Sequence, residues 1–99
     1  MFVVIWEFVV RPERLDEFRR AYGPDGDWAG MFRRCEGYIE TELLGDTEQP
    51  DRFITIDYWR HPEHHVAGIA QLGADYQALD ERCAGYSISE RRIGNLVKH

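Results

Sequence analysis

The segment Phe2–Val10, read FVVIWEFVV, narrows the choice of fold more than any other part of this chain. It is rich in β-branched and aromatic residues and closed by Arg11-Pro12, so it reads as a strand. Alternation puts Phe2, Val4, Trp6, Phe8 and Val10 on one face and Val3, Ile5, Glu7 and Val9 on the other. Both faces are apolar. Such a strand belongs in the middle of a sheet that is covered on both sides.

The remaining elements follow in order. Pro12 suits the first turn of a helix carrying Leu15, Phe18 and Tyr22 at helical spacing, with Glu13, Asp16 and Glu17 early. Gly23-Pro24-Asp25-Gly26 breaks that helix. A second piece runs through Trp28, Met31, Phe32 and Cys35, with Asp25 or Asp27 as N-cap, and Gly37 ends it. Strands Tyr38–Leu44 and Arg52–Trp59 flank a polar turn. From Pro62 to about Cys83, Val66, Ile69, Tyr76, Leu79 and Cys83 predict one helix that skips a turn at Gly73, with Gly85 as C-cap. Gly68 and Gly73 each weaken it by about 1 kcal/mol relative to alanine. Tyr86–Val97 is the last strand.

The order β-α-β-β-α-β over a single domain, residues 1–99, is that of an α+β ferredoxin-like antiparallel sheet with helices on one face. Two helical regions cover only one side of such a sheet, while the first strand is apolar on both. The expectation is therefore a homodimer joined through sheet faces.

The charge balance of −6 argues against nucleic acid as a partner, because phosphate binding needs a basic footprint. Cys35 and Cys83 lie far apart, each on the apolar stripe of a predicted helix, and are expected reduced and buried in a cytoplasmic protein. The apolar run Phe2–Val10 is too short to span a bilayer and lacks a basic leader, so no membrane association is expected.

The seam Thr55–His65 carries the candidate chemistry. Strand alternation places Phe53, Thr55, Asp57 and Trp59 on one face. There Trp59 would wall an aromatic ligand, and Thr55 would hydrogen-bond it; the alternative is Trp59 as ordinary core. His64 and His65 fall in the first turn of the following helix, where the dipole disfavours a protonated imidazole. A neutral His65 could accept a proton from a bound ligand. His61 and His65 stand four apart, a metal-like spacing, but no third ligand accompanies them and no metal is expected. Tyr22, Trp28, Met31, Phe32 and Tyr76 form either an aromatic cavity lining or plain core. Glu90, Arg91 and Arg92 suggest ion pairs at a strand edge.

These residues together resemble the antibiotic biosynthesis monooxygenase family, of dimeric α/β-barrel type, over nearly the whole chain. The resemblance is carried by the aromatic first strand, Gly37-Tyr38, Leu43-Leu44-Gly45-Asp46, Phe53 to Trp59, Tyr76-Gln77-Ala78-Leu79 and Glu90 before Ile93-Gly94. It implies a pocket between sheet and helices lined by Trp59. It also implies a cofactor-free monooxygenase that would oxidise a phenolic or polycyclic aromatic molecule there with molecular oxygen. Trp59, His65 and Thr55 would be catalytic, and Trp6, Phe8, Phe32, His64, Ile69 and Tyr76 would bind substrate. The haem-degrading branch of the family uses an Asn on the first strand and a His well along the second long helix. This chain has its one Asn at 95, and its helix histidines follow within six residues of Trp59. In the phenol-oxidising branch an Asn and the Trp lie four apart, a Tyr follows early in the helix, and an Arg comes later. Thr55, Trp59, His65 and Leu79 or Arg82 occupy those places here. A dimeric binding or accessory module without turnover is the competing function, and an open or filled pocket separates the two.

Overall fold

The computed structural model describes residues 1–99. Strand β1 (Phe2–Val10) is followed by a 3₁₀ turn (Pro12–Arg14) and helices α1 (Leu15–Tyr22) and α2 (Asp27–Phe32). Strands β2 (Tyr38–Gly45) and β3 (Arg52–Trp59), helices α3 (Pro62–Leu72) and α4 (Ala74–Cys83), and strand β4 (Ser87–Val97) complete the chain. The sheet runs β2-β3-β1-β4, all neighbours antiparallel, so the doubly apolar β1 is indeed interior. The fold is α+β ferredoxin-like, with the helices packed on one face.

On the helix side Phe2, Val4, Phe8 and Val10 of β1 are buried, and Phe53, Thr55 and Trp59 of β3 join them. Phe18 of α1, fully buried, packs its ring 5.2 Å from Phe8, 5.4 Å from Phe53 and 4.6 Å from Tyr22. The other face of β1, Val3 to Val9, is only partly covered. Glu7 there is held by Arg52 at 2.7 Å and Arg91 at 3.2 Å, and the Arg52 hydrogen bond keeps its carboxyl below the usual range.

Several sequence expectations change in detail. The long helix over Pro62–Cys83 is two helices, α3 and α4, because Gly73 turns the backbone to φ +50° between them. Gly26, not Asp25 or Asp27, is the N-cap of α2, without a side-chain bond. Asp25 instead accepts from Arg33, and Asp27 pairs with Arg82 at 2.7 Å. Cys35 lies in the turn after α2 rather than on it, and the C-cap of α4 is Ala84, not Gly85. Both cysteines are free and buried.

Two glycines set the site's scaffold. Gly37 adopts φ +84°, and a Cβ there would run into the His64 ring, so the turn into β2 and the start of α3 close tightly. Gly68 brings α3 against the core: an added Cβ would stand 3.1 Å from Cys35 Sγ and 3.2 Å from the Trp59 ring. The wall is thinned at Gly68 for packing, and Trp59 takes the space.

Candidate active site

Sheet register builds the site floor. On β3, Thr55 lies opposite Trp6 of β1, and Asp57 lies between Val4 of β1 and Thr41 of β2. On β4, Arg92 pairs across from Trp6 and Glu90 from Phe8. The helices supply the roof: Tyr22 from α1, Trp28 and Phe32 from α2, Tyr76 and Asp80 from α4. These residues line a cleft open to solvent and walled by Trp6, Phe8, Tyr22, Trp28, Phe32 and Tyr76. Trp28 and Tyr76 meet edge to face with centroids 5.0 Å apart. The indole N–H of Trp28 is buried without a hydrogen-bond partner.

The polar groups of the wall are Thr41, Thr55, Asp57, Asp80 and Glu90. They contain no cation. Thr41 donates to Asp57 Oδ1 at 2.6 Å. A carboxylate only accepts, so that hydroxyl's one proton is committed, and Tyr38 O–H must donate to Thr41 at 2.7 Å. Burial pushes the Asp57 carboxyl up to about 6, against the lowering effect of the Thr41 bond. Glu90 is also raised, by desolvation first and then by Asp80. Burial keeps the Tyr22 and Tyr76 phenols neutral, above their ordinary range.

The expected site residues divide into two groups. Thr55, Trp6, Phe8, Phe32 and Tyr76 all line the pocket. Trp59, His65, His64 and Ile69 do not. Trp59 is 0 % exposed and forms the neighbouring core, its ring 5.5 Å from Phe32, 5.3 Å from Tyr38 and 5.3 Å from His65. Its indole N–H has no partner. Half-buried His65 lies between Trp59 and Phe2, at 5.3 and 5.6 Å, and burial, with Arg92, lowers its pKa. His64 covers Gly37 and leaves Nδ1 buried and unpaired. Ile69 packs against the main core. His61 lies beside His64, with ring centroids 5.5 Å apart, and no three metal-ligating side chains converge.

Other wall residues went unread as site residues. Asp57 carried a signal, an acid placed by alternation beside Thr55 on an otherwise apolar face. Thr41 and Asp80 carried none. Glu90, expected in an ion pair, instead faces the pocket; Arg91 is the one that pairs, with Glu7, and Arg92 lies over Trp6 at 5.9 Å.

The family model described as antibiotic biosynthesis monooxygenase matches residues 1–67, and the chain belongs to that family. SnoaB, a cofactor-independent oxygenase from Streptomyces nogalater, is 18 % identical with a TM-score of 0.74, covering 99 % of this chain and 92 % of its own. A Deinococcus radiodurans protein assigned as an antibiotic biosynthesis monooxygenase is 16 % identical with a TM-score of 0.77, over 100 % of this chain and 93 % of that one. A conserved protein from Methanosarcina mazei Go1 is 14 % identical with a TM-score of 0.74, over 99 % and 92 %. At these identities the likeness is one of fold. A search of curated protein sequences returns no match.

Proposed function

We propose that this protein is a cofactor-independent monooxygenase that oxidises a phenolic or polycyclic aromatic molecule with molecular oxygen in the pocket between sheet and helices. The observation that carries this is the wall itself. Six aromatic side chains surround a cleft whose floor holds a buried hydroxyl, Thr55, and a carboxylate, Asp57. Aromatic rings favour a flat aromatic guest in offset or edge contact, and a few convergent polar groups fix its orientation. Family membership and the likeness to an oxygenase described as cofactor-independent point the same way.

In the reaction a phenol becomes a quinone. A ring C–H bond and the phenol O–H bond break, and one atom of dioxygen becomes the new carbonyl oxygen. The other leaves as water with the two hydrogens. All the electrons that reduce the oxygen come from the substrate, so no external reductant is needed. The protein's part is to hold the ring, orient its oxygen and take up a proton. Thr55 is placed to hydrogen-bond the substrate oxygen. The orphan Trp28 N–H gains a partner when a ligand oxygen occupies the cleft. Trp59 supports the pocket from behind Phe32, and His65 packs between Trp59 and Phe2 outside the wall.

Oxygen uptake with a panel of anthrones and hydroquinones tests this, using wild type, Thr55→Val, Trp59→Phe and His65→Ala. Uptake above the protein-free rate is expected, with Thr55→Val slowed about tenfold through loss of one hydrogen bond. Uptake no faster than the blank across the panel would remove the assignment and, with tight binding, would favour a binding module; a Thr55→Val rate equal to wild type would remove the role given to Thr55.

A further inference from the structure

The oxidation proposed above needs a group that removes a proton from the substrate. His65 does not line the pocket, and no lysine, arginine or histidine does. The proton acceptors in the wall are the carboxylates of Asp57, Asp80 and Glu90, since Tyr22 and Tyr76 stay neutral. Asp80 and Glu90 are exposed residues on α4 and β4. Asp57 differs from them. It sits on the sheet floor, next to Thr55 by alternation and between β1 and β2 by register. Its Oδ1 is fixed by Thr41, which is itself fixed by Tyr38, and Oδ2 makes no hydrogen bond.

We propose that Asp57 is the general base of this site: its free carboxylate oxygen accepts the acidic proton of the bound phenol or of its keto tautomer. The inference rests on the proposed oxidation, but not on its oxygen step. The O–H or C–H bond breaks, the electron pair stays on the aromatic system, and the proton passes to Asp57, which becomes neutral. The substrate anion then meets dioxygen, and the proton is returned to the oxygen atom that leaves as water. Thr41 is a positioning residue. Its hydroxyl donates to Oδ1 in the correct sense for a carboxylate, and the Tyr38 O–H behind it keeps that sense fixed.

Surroundings favour the assignment. Around the cleft stand Thr41 and Tyr38 on β2, Thr55 on β3, Trp6 and Phe8 on β1, Tyr22 on α1, Trp28 and Phe32 on α2, Tyr76 and Asp80 on α4, and Glu90 and Arg92 on β4. No cation is paired with Asp57, whose elevated affinity for a proton comes from burial. A carboxylate of that kind is a stronger base than one in water and is still ionised at neutral pH.

The test separates the base from the oxidation. Under anaerobic conditions, 1,8-dihydroxyanthrone carrying deuterium at its methylene carbon is mixed with the protein, and loss of the label to water is followed by NMR across pH. Wild type should catalyse exchange, with a rate that rises with pH through about 6. Asp57→Asn should lose about 100-fold or more of it, while His61→Ala, at an exposed helix cap, should match wild type. Thr41→Val should move the acid limb to higher pH, because the bond it removes lowers the Asp57 pKa. The free protein gives a second readout. Carboxyl ¹³C NMR should find Asp57 titrating near 6, and higher in Thr41→Val. Exchange unchanged in Asp57→Asn, exchange lost in His65→Ala but kept in Asp57→Asn, absence of exchange in wild type, or an Asp57 midpoint in the ordinary carboxylate range would each overturn the proposal. Exchange that depends on Asp57 without any aerobic oxygen uptake would leave the base standing and overturn the oxidation.

Discussion

Asp57 is held where its charge is unwelcome, and that has a measurable effect on stability. Its folded-state pKa of about 6 lies above its ordinary value of 3.8, so the native state binds a proton more readily than the unfolded chain does. The associated stability is fully present below the unfolded value and is lost as pH rises through about 6. At neutral pH the protein therefore carries a penalty on the order of 3 kcal/mol for keeping this carboxylate ionised. Asparagine has the same shape, accepts the Thr41 hydrogen bond through its own oxygen and has no charge to desolvate. Asp57→Asn is expected to raise unfolding free energy by about 2 kcal/mol at about pH 7.5 and by little at about pH 4, read from chemical denaturation at the two pH values. An equal effect at both, or a loss at neutral pH, would show that the carboxyl is not held in the way described. A substitution that stabilises the fold while removing function is the pattern expected of a site residue. From sequence, alternation alone put Asp57 on the face with Thr55. What it could not supply was the desolvation, which comes from helices that are distant in the chain.

At the scale of elements, periodicity located every strand to within a residue, because a two-residue alternation of apolar side chains survives any packing arrangement. The interior position of β1 followed from its two apolar faces. The helical stripe of Val66, Ile69, Tyr76 and Leu79 was less decisive. Its phase slips at Gly73, where a backbone at φ +50° starts a new helix, and Val66 ends up exposed. Trp59 was readable as wall or core, and the gap that decides it, above Gly68, belongs to the pairing of α3 with β3. Strand β4 makes a further point. None of its residues is buried, although it is the longest strand, and Leu96 opposite Val3 is 49 % exposed. Leu44, 46 % exposed on the far strand, shares the open sheet face with Val3, Ile5, Val9, Ile54 and Ile56, an apolar surface interrupted by Glu7 and its arginine partners. We propose that a second copy covers it. Sedimentation equilibrium should give twice the 11.6 kDa chain mass, and Leu96→Lys should shift the population toward single chains. Wild type sedimenting at 11.6 kDa would contradict the dimer.

For the molecule as a whole, a four-stranded sheet serves as floor and the broken helical layer as roof, and the cleft lies where the two separate. No helix is long and apolar enough to cross a membrane. The pocket opens beside Trp6, Trp28 and Tyr76 rather than at Trp59, because Gly37 and Gly68 let α3 close down on that end of the sheet. Sequence could name most of the aromatic wall, since those residues share helical and strand faces, but not which end of the sheet stays open. That depends on how closely each helix approaches, and a single glycine sets the distance. Crystals soaked with 1,8-dihydroxyanthraquinone measure this location directly. The ligand is expected between Trp6 and Tyr76 with an oxygen within hydrogen-bonding distance of Thr55 or Asp57; a ligand bound against His65 instead, with the Trp6–Tyr76 cleft collapsed, would contradict this placement.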